Sequence, residues 1–146
     1  MDEKRALTLF AALVLAALCR QAHAEPGISL AIDKHARLTE QGAIVISIQV
    51  VCGPFAGFEE FQDALAGAFQ EKHGAEAEGG IDGTIVCDGV ERTHTARLSS
   101  FTDTGFKHGP AGANASLFIC TLVQDEQICF QGGTQRTVVI RGRKVS

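Results

Sequence analysis

From Ile44 to Cys52 every second residue is apolar. Ile44, Ile46, Ile48, Val50 and Cys52 fall on one side of the chain, with Ser47 and Gln49 on the other. A period of two fits a β-strand with one buried face, whereas a helix would scatter these residues around its axis. The same alternation recurs. Ile28, Leu30 and Ile32 alternate with smaller residues, and the turn Thr39-Glu40-Gln41-Gly42 separates that run from the next. His94, Ala96 and Leu98 oppose Thr93, Thr95 and Arg97. Ala111, Ala113, Ala115, Leu117 and Ile119 oppose Gly112, Asn114 and Ser116. Residues 84–87 read as a short β run stopped by Asp88-Gly89, and Gly132-Gly133 as a turn into a last run, Thr137 to Ile140. Such a pattern predicts an all-β chain: an antiparallel β-sandwich of about seven strands.

Residues 1–24 have the form of a signal peptide, read as a helix ahead of the domain. Lys4 and Arg5 begin it. Ala6 to Leu18 is apolar apart from Thr8, and Ala22-His23-Ala24 offers a cleavage site. The apolar run is too short to span a bilayer, which needs about 20 residues. Cleavage would leave one domain, residues 25–146, outside the cytoplasm and not inserted in a membrane. The leader carries Lys4, Arg5 and Arg20 against Asp2 and Glu3, so its loss takes the chain from −4 to −5. Nucleic acid is a poor partner for an acidic chain, since affinity for it comes from Lys and Arg on phosphates. The basic tail Arg141, Arg143, Lys144 is the local exception.

Four of the five cysteines follow the leader: Cys52, Cys87, Cys120 and Cys129. In an exported chain an even count predicts two disulfides, with three possible connectivities. Cys120 and Cys129 sit at the ends of an expected hairpin, while Cys52 and Cys87 each end a β-rich run. The expected pairing is therefore 52–87 and 120–129.

Residues 58–73 point two ways. Phe58, Phe61, Leu65 and Phe69 have helical spacing. Glu59, Glu60 and Asp63 would suit a helix start, and Lys72, His73 and Gly74 a helix end. A strand is also allowed, and it would turn Phe61, Leu65 and Phe69 inward. Certain marks stand in a suggestive order. An alternating strand ending in Cys52 is followed by Phe58-Glu59-Glu60-Phe61 and a run to Gln70. Then come Gly79, Gly80 and Gly83, Val86-Cys87-Asp88-Gly89, Phe106 with Gly109, and the Cys120/Cys129 pair. In these marks the chain resembles a group of small secreted bacterial Ig-like domains of uncharacterised function. The resemblance covers most of residues 28–141. It implies an Ig-like fold and a strand before Gln70, and it brings no catalytic residues.

The sequence holds no nucleophile elbow, zinc-protease motif, phosphate loop or dinucleotide-binding glycine pattern. Gly79-Gly80-Ile81-Asp82-Gly83 reads as a turn. His35, His73, His94 and His108 are not spaced as metal ligands, and His94 reads as a core-edge residue. Glu59, Glu60, Asp63, Glu76 and Glu78 read as solvated acids, and no cofactor is expected. Trp and Tyr are absent. A secreted, non-enzymatic domain with a binding or structural role and an unknown extracellular partner is the expectation. The alternative is a small-molecule carrier, its pocket lined by Phe55, Phe58, Phe61 and Phe69, or an enzyme inhibitor. Candidate binding loops are those of Phe55 and Phe58 and the hairpin tip Gln124, Asp125 and Glu126.

Overall fold

The computed structural model describes residues 27–142. The leader, its Cys19 and the tail residues Arg143 and Lys144 lie outside the described residues. The chain forms β1 (Ile28–Ile32), β2 (His35–Leu38), β3 (Ile44–Cys52) and β4 (Phe58–Gln70). After a short 3-10 turn, Glu71–His73, come β5 (Ala75–Gly80), β6 (Arg92–Leu98), β7 (Gly109–Val123) and β8 (Glu126–Arg141). They make an open, mixed sheet of eight strands in the order β1-β3-β2-β8-β7-β4-β5, with β6 also paired to β3. Every pairing is antiparallel except β2 with β8. β1 pairs with the end of β3, and β2 pairs with both the start of β3 and the end of β8. Among the described residues, β2 is thus the one strand paired with both a β1-β3-β6 group and a β8-β7-β4-β5 group.

The alternation of the sequence decides which faces meet. Ile44, Ile46, Ile48 and Val50 of β3 are buried together with Ala96 and Leu98 of β6. Ala111, Ala113, Ala115, Leu117 and Ile119 of β7 join the same core, with Val138 and Ile140 of β8. Removing this much apolar surface from water is the main favourable contribution, at roughly 25 cal/mol per Å². Strand formation here is therefore tertiary in origin: each run needs the facing group to cover its apolar side.

The disulfides are Cys52–Cys87 and Cys120–Cys129, as the strand ends led us to expect. Two such bonds fit an oxidising compartment. Both lie near one end of the sheet, where Phe55, just after Cys52, stacks on Phe130, beside Cys129, with ring centroids 4.1 Å apart. At the other end, the Gly42 and Gly105 backbones come so close that a Cβ on either would sit 3.3 Å from the other chain segment.

Four expectations need correction. Eight strands form, because His35–Leu38, after the first apolar run, adds β2 and residues 75–80 add β5. Residues 84–87 join no strand: Ile85 is buried, and the side-chain amide of Gln62 takes the place of a neighbouring strand. Its Oε1 accepts the Ile85 N–H at 3.2 Å, and its Nε2 donates to the Ile85 carbonyl at 2.8 Å. Gly132-Gly133 is no turn but the middle of β8, opposite Leu117 and Ser116. Glycine is needed there because β1 crosses close by: a Cβ on Gly132 would lie 2.6 Å from Ile28 Cγ2. Gly79-Gly80 likewise ends strand β5, leaving only residues 81–83 outside it.

The fourth correction concerns residues 58–73. They are a strand to Gln70, not a helix, and the face that turns inward is the opposite one. Ala66, Ala68 and Gln70 are buried, while Phe61, Leu65 and Phe69 point out. The isoleucines of β3 and Leu117 and Ile119 of β7 already fill the interior, so β4 contributes alanines to it. Gln70 also bonds like a backbone. Its Oε1 accepts the Lys107 N–H at 2.9 Å, and its Nε2 donates to the Lys107 carbonyl at 2.8 Å.

Candidate functional site

The outer face of β5, β4, β7 and β8 carries the exposed apolar side chains of this part of the chain. Directly opposed residues on neighbouring strands share a face. Phe69 lies opposite Gly112 and Glu76, and Gly67 opposite Asn114 and Glu78. Asp63 lies opposite Phe118, and Phe61 opposite Cys120. The glycines shape this surface. A Cβ on Gly112 would lie 2.3 Å from the Phe69 ring, and one on Gly67 would lie 2.9 Å from the Asn114 amide. Each larger side chain therefore lies down on the glycine across from it. The result is a low platform of one aromatic ring beside one carboxamide.

Two shallow hollows share Phe69 and Asn114. One, of about 330 Å³, continues over Gln135, Arg136 and Thr137 of β8. The other, of about 160 Å³, continues over Glu76 and Glu78 of β5 to Phe101. Further along, Phe61 and Phe118 meet edge to face, with centroids 6.1 Å apart. Phe69 is 52% exposed and Phe61 50%. The face offers apolar contact interleaved with amides and acids, a mix suited to holding an extended ligand by one side.

The loops singled out in the sequence come together at the disulfide end. Phe58 lies opposite Leu122, two residues before the hairpin turn. Gln124 and Asp125 form that turn, with φ of 51° and 63°, the conformation that two-residue hairpins favour. Glu126 closes it opposite Val123. Phe58 is 84% exposed, whereas Phe55 is held against Phe130. Phe55, Phe58, Phe61 and Phe69 line no common cavity. Phe55 packs at the end of the core, and the other three are spread along the outside.

The remaining polar candidates are dispersed. Glu59 accepts from Gln62, and Glu60 accepts from Gln127. His94 faces inward opposite Ile48, with Nδ1 3.0 Å from the Asp82 carbonyl oxygen. His35 is in β2, His73 ends the 3-10 turn, and His108 is exposed beside Gly142. Among the described residues no three His, Cys, Asp or Glu side chains gather as a metal site. No described helix is long and apolar enough to cross a membrane.

One charged constellation escaped the sequence reading. Asp88 takes a two-pronged bond from Arg92 and also accepts the Val90 N–H at 3.0 Å. The Arg92 hydrogen bond first, and the Val90 N–H second, hold the Asp88 carboxyl well below the usual carboxylate range. An Asp-Gly turn followed by an Arg four residues on was the available signal. A group with a depressed folded pKa favours the folded state above its unfolded pKa, near 4, and loses that contribution as pH falls toward its folded value. In a carboxyl-carbon NMR titration, Asp88 should stay ionised at about pH 3, where an ordinary Asp is mostly protonated. An ordinary titration would show that the Arg92 pair is not formed in solution.

Comparison with family models, with curated proteins and with solved structures found no match to this chain.

Proposed function

We propose that this chain is an exported Ig-like β-sandwich domain, of the kind it resembles in sequence, that acts by binding an extracellular partner rather than by catalysis. The sandwich reading is supported by two strand groups whose only shared ladder among the described residues is through β2, with inward faces that share one core. The export reading is supported by the form of residues 1–24 and by two disulfides.

A single observation carries the binding role. On β4 the large apolar side chains Phe61, Leu65 and Phe69 face solvent, and the alanines face the core. Folding alone would favour the reverse, since burying a Phe or Leu stabilises by roughly 1.5–3 kcal/mol relative to leaving it exposed. Contiguous exposed apolar surface rimmed by polar groups marks interaction sites. The recognition surface is then the platform of Phe69 and Asn114, extended by Phe61 and Phe118.

The test is paired capture from extracellular medium. Wild-type protein should retain a partner that the Phe69→Ser/Phe118→Ser variant loses, with both proteins melting within a few degrees of each other. Equal retention by both would remove this face as the site. A variant that melts far lower would show that these rings serve the fold.

A further inference from the structure

We infer that the open edge of β8 pairs with β8 of a second copy of this chain, antiparallel, from Glu126 to Arg136. The Val139 N–H turns away from β7 and donates to the Lys34 carbonyl at 2.8 Å. Register between β7 and β8 is unbroken from Gly109 and Ile140 to Val123 and Glu126. In an antiparallel ladder successive residues turn their N–H and C=O to alternate sides. Gln127, Cys129, Gln131, Gly133, Gln135 and Thr137 therefore present theirs on the same side as Val139. The short Cα–Cα distance of 4.0 Å between Cys120 and Cys129 agrees, since pairs that do not exchange hydrogen bonds approach more closely. Among the described residues, β2 covers this edge only at Val139–Arg141.

The other outer strands are protected. On β5, the Glu76 carbonyl accepts the Phe101 N–H at 2.9 Å, and the Glu76 N–H donates to Ser100 Oγ. On β6, the Thr95 carbonyl accepts the Asp82 N–H at 2.8 Å. β1 has only five residues. Proteins blunt free edges by covering them, shortening them or charging them. Between Glu126 and Arg136 no described strand pairs with this edge and the intervening side chains are neutral; β1 crosses β8 there on its core side, at Gly132 and Arg136, without a ladder bond.

The sequence of the edge selects a second copy as the occupant. Antiparallel self-pairing centred on Gln131 sets Glu126 of each copy opposite Arg136 of the other. Gln127 then faces Gln135, and the exposed Ile128 faces Thr134, a β-branched cross-strand pair. In this register odd-numbered residues oppose odd-numbered ones, so the outward N–H and C=O groups meet. A shift of two residues loses both charge pairs. The contact is isologous and closes at two copies. Arg136 uses one Nη1–H on the Ile32 carbonyl and has other donors for the partner's Glu126.

The test is the oligomeric state of the oxidised full chain, by sedimentation over a range of concentrations. A monomer–dimer equilibrium is expected. Glu126→Arg or Arg136→Glu alone places two like-charge pairs at the seam, and either should weaken association about tenfold. The double substitution restores both pairs and should return association to within about threefold of wild type. Gln131→Pro removes an N–H that faces the edge and not β7, so it should give a monomer that still melts cooperatively. A monomer at every concentration, or a dimer indifferent to Gln131→Pro, would overturn the inference. So would a double variant no better than the single ones.

Discussion

Replacing Cys52 and Cys87 together by alanine should lower stability by about 4 kcal/mol, the loop-closure contribution expected for this span. The bond joins residues 35 apart in sequence, the longer of the two loops. Cys52 is also fully buried in the core, so the missing sulfur adds a cavity cost of its own. A domain of this size commonly has about 5–15 kcal/mol in all. The double variant should unfold at a clearly lower urea concentration or be largely unfolded at body temperature. The Cys120–Cys129 loop spans 9 residues and should contribute less, nearer 2.5 kcal/mol. Urea midpoints of the two double variants, measured side by side, check the order. Equal losses would show that chain entropy is not what separates them.

Gln70→Leu should cost a further large amount, about 2–4 kcal/mol, although leucine is more apolar and of similar size. Gln70 is 2% exposed, and its amide satisfies both the N–H and the carbonyl of Lys107. Leucine would leave both without a partner, each at about 1–3 kcal/mol. Gln70→Glu separates the two halves of the contact. Its carboxylate can still accept the Lys107 N–H, but it meets the Lys107 carbonyl with no proton to donate. Burial against that carbonyl raises the folded pKa of the new acid. The Glu variant should therefore gain stability relative to wild type as pH falls through that raised value. A pH-independent difference between the two proteins would contradict the assigned bonds.

How far the sequence could be read depended on where the deciding partner lay. Ile44 to Cys52 and Ala111 to Ile119 carry their own period, and both became strands with the expected inner face. The cysteine pairing followed from strand ends alone. β4 was different. Phe61, Leu65 and Phe69 read as core by their own chemistry, but the volume inside had been taken by β3 and β7, a fact held by other strands. Gly132-Gly133 read as a turn by propensity, and the crossing of Ile28 made it strand instead. Ile85 was read in a strand and is held by Gln62, a side chain standing in for a backbone. Of the candidate binding loops, Phe55 and the turn Gln124-Asp125 lie outside strands, while Phe58 and Glu126 each begin one. The platform of Phe69 and Asn114 was not, because it exists only once Gly112 and Gly67 are opposite them.

The placement of the two disulfides decides what a single cut in the backbone would do. Cys52–Cys87 lies wholly before the connection between β6 and β7, and Cys120–Cys129 wholly after it. Neither bond crosses residues 99–108. One cut in the exposed part of that stretch, around Phe101–Asp103, would sever the chain into a piece carrying β1 to β6 and a hairpin of β7 and β8, with no disulfide between them. The hairpin supplies the middle of the sheet, so the pieces would stay together only by packing and by ladder bonds to β2 and β4. The same arrangement makes the molecule a natural two-fragment system. Each fragment can oxidise its own cysteines before the two meet, and reassembly needs no disulfide exchange.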